Sequence, residues 1–145
     1  MLSKLYEIAN DVFGHYLIDV GISSNHGDKS SDIDTVVVVS KLDIPVTTMF
    51  KKVASKYFKK DVSCIVLTEV MLNNKQTWPD KFVTMVYKGV ELVNGNIDID
   101  LEEVKTLARK NTTEAMYRWL KDYSGGKITA DRLIDLLVQQ ICLLV

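Results

Sequence analysis

The sequence contains little of what would set it apart from ordinary globular proteins. Of its 145 residues two are cysteine and two are proline, and 18 basic residues nearly balance 19 acidic ones, for a net charge of -1. Cys64 and Cys142 lie in apolar runs and match no metal-binding spacing, which predicts buried free thiols in a reducing compartment rather than a disulfide. The balanced charge gives no strong nucleic-acid signal. We therefore expect a cytoplasmic globular protein whose charged sites are local.

Targeting signals and long apolar runs are also missing. The opening stretch MLSKLYEIANDVF carries acidic residues and lacks a small-residue cleavage site, which argues against a signal peptide. The most apolar stretch, RLIDLLVQQICLLV, is short and contains Asp135. Such a stretch is too short and too charged for a membrane span, so we expect no membrane partner.

Helical and strand patterns alternate along the first two thirds of the chain. Helical spacing follows Ser3, a predicted N-cap, and recurs after Pro45, where Val46, Phe50, Val53 and Tyr57 form one apolar stripe. Strands are predicted in YLIDVGI, DIDTVVVVS and DVSCIVLT, the second covered on both faces because of its four consecutive valines. The order predicts an α/β (α+β) fold, a small mixed sheet with flanking helices.

A helical segment follows this predicted domain. Short helices in EVMLNN and PDKFVTMVYKG and a last strand in VELVNG complete residues 1–98, and residues 99–145 contain two helices joined at Gly125 and Gly126. We expect 1–98 to be the main domain and 99–145 to pack on it or on a partner.

Three aspartates introduce predicted strands. Asp32 and Asp34 are two residues apart, so their side chains project from one face of their strand, and Asp61 begins the next strand. Aspartate is depleted in strands, and three converging carboxylates would repel each other without a cation between them. Magnesium prefers such oxygen ligands and commonly keeps positions for water and phosphate. The pattern predicts a metal site at Asp32, Asp34 and Asp61.

The loop before these aspartates is rich in glycine and serine. Gly21 and Gly27 permit a close approach of the backbone, and hydroxyl and amide groups are available at Ser23, Ser24, Ser30 and Ser31. We expect this loop to hold a phosphate group, with Gly21, Ser23, Ser24 and Ser31 as the candidate contacts. The plain alternative is that the SDID segment forms a solvated turn and that Asp61 is a linker residue.

The run GISSNHGDKSSDIDTVVVV, with a helix and a further acid after it, resembles the nucleotidyltransferase superfamily typified by DNA polymerase beta and its minimal members. The family pattern is a strand ending in glycine, a loop, Ser-Asp-x-Asp leading a strand, and a third carboxylate on the next strand. Gly21, the SDID run from Ser31 to Asp34, and Asp61 match it. Ile22 departs from it, because the family usually has serine or glycine there.

The resemblance implies a transferase that moves a nucleoside monophosphate, most often AMP, from ATP or another nucleoside triphosphate to an acceptor hydroxyl. It implies two magnesium ions that are bridged by Asp32 and Asp34. Asp61 would complete the coordination of the ion on the acceptor side. The acceptor would be a small molecule or a partner protein. The departure at Ile22 keeps open a second possibility, a catalytically silent binding or antitoxin-like module.

The last helix is apolar around nearly its whole circumference after Leu136. Such a helix is normally buried, so we expect either a chain that continues beyond Val145 or a contact with another subunit, including a homo-oligomer formed through this helix.

Overall fold

The computed structural model describes residues 1–24, 32–95 and 100–144, with the backbone alone for 142–144. The chain divides into two compact units, Met1–Asp98 and Ile99–Val145. The helices and strands of the first unit are α1 (Leu2–Phe13), β1 (Leu17–Ser23), β2 (Ile33–Val39), α2 (Ile44–Phe58), β3 (Val62–Thr68), α3 (Glu69–Leu72), α4 (Asp80–Lys88) and β4 (Val90–Leu92). The second unit contains α5 (Leu101–Ser124) and α6 (Ala130–Leu144).

The four strands form one mixed sheet in the order β3-β2-β1-β4. β1 pairs antiparallel with both β2 and β4, whereas β2 and β3 are parallel, with α2 as the connection between them. A parallel pair needs a crossover of this kind because a tight hairpin cannot join strands that run in the same direction. The mixed sheet with flanking helices confirms the predicted fold class.

β2 lies in the interior of the sheet and is covered on both of its faces. Val36, Val37, Val38 and Val39 have no exposed surface, as predicted from the run of valines. Ile33, Val37 and Val39 belong to one apolar core with residues of α1 and α2, among them Leu5, Phe13 and Phe50. Successive strand residues point to opposite faces, so Asp34, Val36 and Val38 face away from that core.

Two local expectations about helices were wrong. α1 begins at Leu2 with Met1 as its N-cap, so Ser3 lies inside the helix and caps nothing. α2 buries Phe50 and Ala54, whereas Val53 and Tyr57 of the predicted stripe are exposed. Ala54 is fully buried in the core with Phe50, and Phe58 packs against the same core. Pro45 does lie in the first turn of α2, after the N-cap Asp43.

At one end of the sheet, the ends of all four strands lie side by side. β1 ends where β2, β3 and β4 begin, because Ser23 is paired with Val90, Ile22 with Thr35, and Ile33 with Val62. Ser24, Asp32 and Asp61 therefore lie along this edge, which we call the site edge.

The second unit is a pair of helices. The Asp100 carboxylate accepts hydrogen bonds from the backbone N–H groups of Glu102 and Glu103 and caps α5. The Thr112 hydroxyl donates to Gln140 Oε1 at 3.1 Å and links α5 to α6. Within the described part of the chain, no helix has the length and apolar character needed to cross a membrane.

Candidate functional site

Two of the three predicted carboxylates share a cavity on the site edge. The cavity has a volume of about 580 Å³ and opens between the N-terminal ends of β2 and β3 and one side of α2. Both carboxylate residues are exposed. The lining residues are Asp32, Thr48, Lys51, Lys52, Ser55, Asp61, Val62 and Ser63. Acidic, hydroxyl and ammonium groups thus meet in one space of the size that small-molecule sites commonly have.

Backbone hydrogen bonds fix the position of Asp61 relative to the other elements. The Ile33 N–H donates to the Asp61 carbonyl at 2.9 Å, which aligns the start of β3 with the start of β2. The Val62 N–H donates to Ser55 Oγ at 3.1 Å and ties the same point to α2. Hydrogen bonds therefore connect the backbone at Asp61 and Val62 to β2 on one side and to α2 on the other.

Asp34 has different neighbours. The Ser63 hydroxyl donates to Asp34 Oδ1 at 2.5 Å, as the β2–β3 pairing of these two residues allows. Lys81 of α4 places its ammonium nitrogen 3.9 Å from the same oxygen, and the Asp34 side chain remains 41% exposed. Asp34 is not among the residues that line the cavity. Its carboxylate is thus held by a hydroxyl and an ammonium group.

The arrangement bears on the predicted metal site. Among the side chains of residues 1–24, 32–95 and 100–141, no group of three histidine, cysteine, aspartate or glutamate residues is close enough to hold a metal ion. The donor chemistry suits magnesium, since carboxylate oxygens are its preferred protein ligands and Asp32 and Asp61 line one cavity. The structure brings Asp32 and Asp61 together and places Asp34 with Ser63 and Lys81.

Of the predicted phosphate-contacting residues, Ser23 and Ser24 lie at the end of β1, on the site edge. The Ser24 N–H donates to the Gly89 carbonyl at 3.1 Å, and the Ser24 hydroxyl is within hydrogen-bonding distance of the carbonyls of Lys88 and Gly89, at 3.1 and 3.0 Å. Ser23 is buried at the end of β1. Ser31, like Gly27 and Ser30, lies in 25–31, outside the described residues.

The glycine at position 21 is explained by the packing of the strands. It lies inside β1, paired with Val36 on one side and Leu92 on the other. A Cβ atom at this position would lie 2.5 Å from Leu92 Cδ2 and 2.9 Å from the Glu91 carbonyl oxygen. The absence of a side chain at Gly21 therefore allows β4 to pair with β1.

Several residues that line the site were not predicted from the sequence. Lys51 and Lys52 belong to the lysine-rich side of α2, a pattern that is typical of a solvated helix face. Ser63 could have been found, because strand alternation places it on the same face as Asp61, two residues away. The contact of Lys81 with Asp34 could not be predicted from the sequence, since the two residues are 47 positions apart along the chain. The other missed lining residues are Thr48, Ser55 and Val62.

Cys64 lies behind the site and has the chemistry of a core residue. It is paired with Thr35 in the β2–β3 ladder and packs against the core. Burial raises the pKa of its thiol to about 11, and nearby Thr35 and Lys51 offset that effect only in part. At neutral pH the thiol is protonated, and a protonated thiol is a poor nucleophile.

Comparison with known proteins identifies the fold. No protein-family model matches the sequence, and no curated protein does. Among solved structures, the chain resembles a protein chain in a mutant toxin–antitoxin complex of MntA and HpeT. The two chains are 14% identical over 86% of this chain and 94% of that chain, with a TM-score of 0.50. MntA is a minimal nucleotidyltransferase antitoxin, so the fold is nucleotidyltransferase-like, as the sequence resemblance implied.

Two further similar structures are known. One contains a tri-AMPylated HEPN toxin in complex with an MNT antitoxin from Shewanella oneidensis, with 14% identity over 84% of this chain and 89% of that chain and a TM-score of 0.46. The other is a toxin–antitoxin structure with AMP-PNP, with 13% identity over 84% and 92% of the two chains and a TM-score of 0.49.

Proposed function

We propose that the protein is a nucleotidyltransferase that moves a nucleoside monophosphate, AMP in the first instance, from a nucleoside triphosphate to an acceptor hydroxyl. The observation that carries this proposal is the site edge of a nucleotidyltransferase-like fold, where Asp32 and Asp61 line one cavity beside the end of β1. The neighbouring AMP-PNP and AMPylated complexes favour ATP as the donor and a partner protein as one kind of acceptor.

The reaction would be an in-line substitution at the α-phosphorus. The acceptor oxygen forms a bond to this phosphorus while the bond from phosphorus to the oxygen bridging the β-phosphate breaks, and pyrophosphate leaves with the electron pair. Asp61 is the group proposed to receive the hydroxyl proton, because it is exposed in the cavity that an acceptor can enter. Gly21, Ser23, Ser24 and Ser31 are the proposed contacts of the triphosphate.

Magnesium is part of this proposal, and Asp32, Asp34 and Asp61 are the residues that would hold it. When bound, it would supply positive charge that stabilises the leaving pyrophosphate and the attacking oxygen. Asp34 would have to exchange its contact with the Lys81 ammonium group for this ligand. Such an exchange costs little, because an exposed ion pair contributes about 0–1 kcal/mol.

Transfer of label tests the proposal directly. The purified protein is incubated with magnesium, α-labelled ATP and cell extract as a source of acceptors, and pyrophosphate release is followed in parallel. We expect labelled product that Asp32→Asn abolishes and that EDTA prevents, while Asp80→Asn, the same chemical change at an exposed residue of α4, leaves the rate within twofold. Absence of product over a panel of the four nucleoside triphosphates would contradict the proposal.

A second candidate is a catalytically silent module with the same fold, which binds a nucleotide or a partner without turnover. The specific observation in its favour is the contact of Asp34 with Ser63 and Lys81 instead of with the other two carboxylates. A lysine beside the carboxylate satisfies its charge without a metal. Calorimetry separates the two: AMP-PNP binding of equal strength in EDTA and in magnesium, together with no labelled product, would identify the silent module.

A further inference from the structure

We infer that the cavity beside Asp32 and Asp61 binds a phosphate group carried by the acceptor, held by Lys51 and Lys52 of α2. The inference rests on the proposed function, since it assigns the cavity to the acceptor of that reaction. It adds a substrate class: hydroxyl compounds that bear a phosphate.

The lining supplies the ligands that phosphate needs. Lys51 and Lys52 line the cavity together with Ser55, whereas the other two lining hydroxyls already donate elsewhere, that of Thr48 to the Ile44 carbonyl and that of Ser63 to Asp34. Ammonium groups and hydroxyls are donors that match the several acceptor oxygens of a phosphate. The hydroxyl of Ser55 accepts from the Val62 N–H, which leaves its own proton for another acceptor.

The charge of α2 favours an anion on this side of the cavity. Residues 44–60 contain five lysines and no acidic residue, although the whole chain has a net charge of -1. Within the described parts of the chain, neither Lys51 nor Lys52 lies within salt-bridge distance of a carboxylate. Because Asp32 and Asp61 are the proposed metal ligands, a bound cation would offset their charge and leave this wall positive.

The order of the strands separates the cavity from Ser24, one of the proposed triphosphate contacts. β2, which Asp32 precedes, lies between β1 and β3 in the sheet. Ser24 follows β1 on one side of β2, whereas Asp61 precedes β3 on the other side. A triphosphate held at Ser24 would therefore leave the cavity free, and the occupant of the cavity would meet the nucleotide across the carboxylates. That is the position of an acceptor.

Backbone amide NMR on the full chain tests the inference with inorganic phosphate as the probe. Phosphate is titrated in the presence of magnesium and saturating AMP-PNP, with sodium acetate and sodium chloride at matched ionic strength as comparisons. We expect saturable shifts at residues 48–55 and 61–63 with phosphate and weaker ones with acetate, because phosphate carries more charge and more acceptor oxygens. Chloride should give no saturable shifts.

Variants assign the binding to the two lysines. The double variant K51M/K52M should weaken phosphate binding at least tenfold, while K41M/K56M, which removes the same charge from exposed positions that do not line the cavity, should stay within twofold. If the double variant does not give the spectrum of a folded protein, the single variants K51M and K52M provide the same test of phosphate binding.

Four results would overturn the inference: no saturable shift with phosphate, displacement of phosphate by AMP-PNP, acetate binding as tightly as phosphate, or equal weakening by K41M/K56M. Displacement would assign the cavity to the nucleotide. Failure of AMP-PNP to bind, with phosphate still saturating the cavity, would instead contradict the proposed function and leave the phosphate site in place.

Discussion

Asp34 is the residue at which stability and the proposed function make different demands. Its carboxylate accepts a hydrogen bond from Ser63 and lies 3.9 Å from the Lys81 ammonium nitrogen. In the free protein Asp34 Oδ1 makes both of these contacts, whereas the proposed reaction would require the Asp34 carboxylate to hold a magnesium ion. The consequence can be measured by replacing the carboxylate with an amide of nearly the same shape.

We expect Asp34→Asn to change the free energy of unfolding in EDTA by about 1 kcal/mol or less, because the amide oxygen still accepts from Ser63 and an exposed ion pair contributes little. With magnesium and ATP at a hundredfold excess over Kd, wild type should gain about 2.7 kcal/mol, and the variant should lose most of that gain. Thermal melts in both buffers measure this difference, with Asp80→Asn as the control. An equal gain in wild type and variant would show that Asp34 does not hold the metal of the nucleotide.

Cys64 should react slowly with alkylating reagents in the folded protein. Burial raises the pKa of its thiol from 9.0 to about 11, so at pH 8 the thiolate fraction falls roughly a hundredfold relative to an unfolded chain. Iodoacetamide labelling read by mass spectrometry of the peptide that contains Cys64 measures the rate. The same labelling in urea is the control, and equal rates in both solutions would contradict the burial of this thiol.

The same shift makes stability depend on pH in a known direction. The folded pKa of Cys64 lies above the unfolded value, so the folded state holds the proton more tightly between pH 9 and 11. Its contribution to stability is complete below pH 9 and is lost as the pH rises towards 11. We expect wild type to lose up to about 2 kcal/mol more than Cys64→Val between pH 8 and 10.5, as measured by urea unfolding. A parallel loss in both proteins would contradict this.

At the scale of helices and strands, the sequence predicted element types well because hydrophobic periodicity dominates them. Val36 to Val39 are buried on both faces as expected. The prediction of which face of α2 is buried was wrong, because it relied on the large apolar side chains. The helix instead buries the small Ala54 together with Phe50. Lys81 could not have been predicted as a neighbour of Asp34, since their contact depends on the packing of α4.

The pairing of β4 with β1 depends on one glycine. A methyl group at Gly21 would overlap Leu92 and the Glu91 carbonyl, so Gly21→Ala should separate the strands locally and cost roughly 1–3 kcal/mol. Gly125→Ala is the control, because its nearest neighbour would be 3.4 Å from the added carbon and its φ is -84°. Urea unfolding measures both. A loss below about 0.5 kcal/mol in Gly21→Ala, which is the usual effect of a neutral surface substitution, would contradict the packing role.

For the molecule as a whole, the order of strands and helices places Asp32 and Asp61 at one end of the sheet, but the sequence does not indicate which neighbours each aspartate contacts. Chain order and strand direction bring Asp32 and Asp61 to the same edge, and both follow from the alternation of strands and helices. Whether Asp61 or Ser63 faces Asp34 depends on register, because a shift of two residues would exchange one for the other on the same face of the sheet. The observed register pairs Asp34 with Ser63.

The second unit has large apolar side chains at exposed positions of its helices. On α6, Ile134, Val138 and Ile141 recur at helical spacing, and each is more than half exposed. Tyr117 of α5 is 71% exposed. Apolar surface of this kind is a common mark of protein contacts, which supports the proposal that this segment meets another subunit.

Sedimentation equilibrium of the full chain from about 1 to 200 μM tests this proposal over the range of weak to moderate association. We expect the mean mass of wild type to rise with concentration, and Val138→Glu to remain monomeric because a carboxylate in an apolar contact is costly to desolvate. Gln139→Glu is the matched control, since it adds the same charge at the neighbouring exposed position of α6 and should associate like wild type. Two outcomes count against a homo-oligomer formed through α6: wild type that stays strictly monomeric throughout, or two variants that dissociate equally. The second would show that charge alone weakens the assembly, and that Val138 is not in the contact.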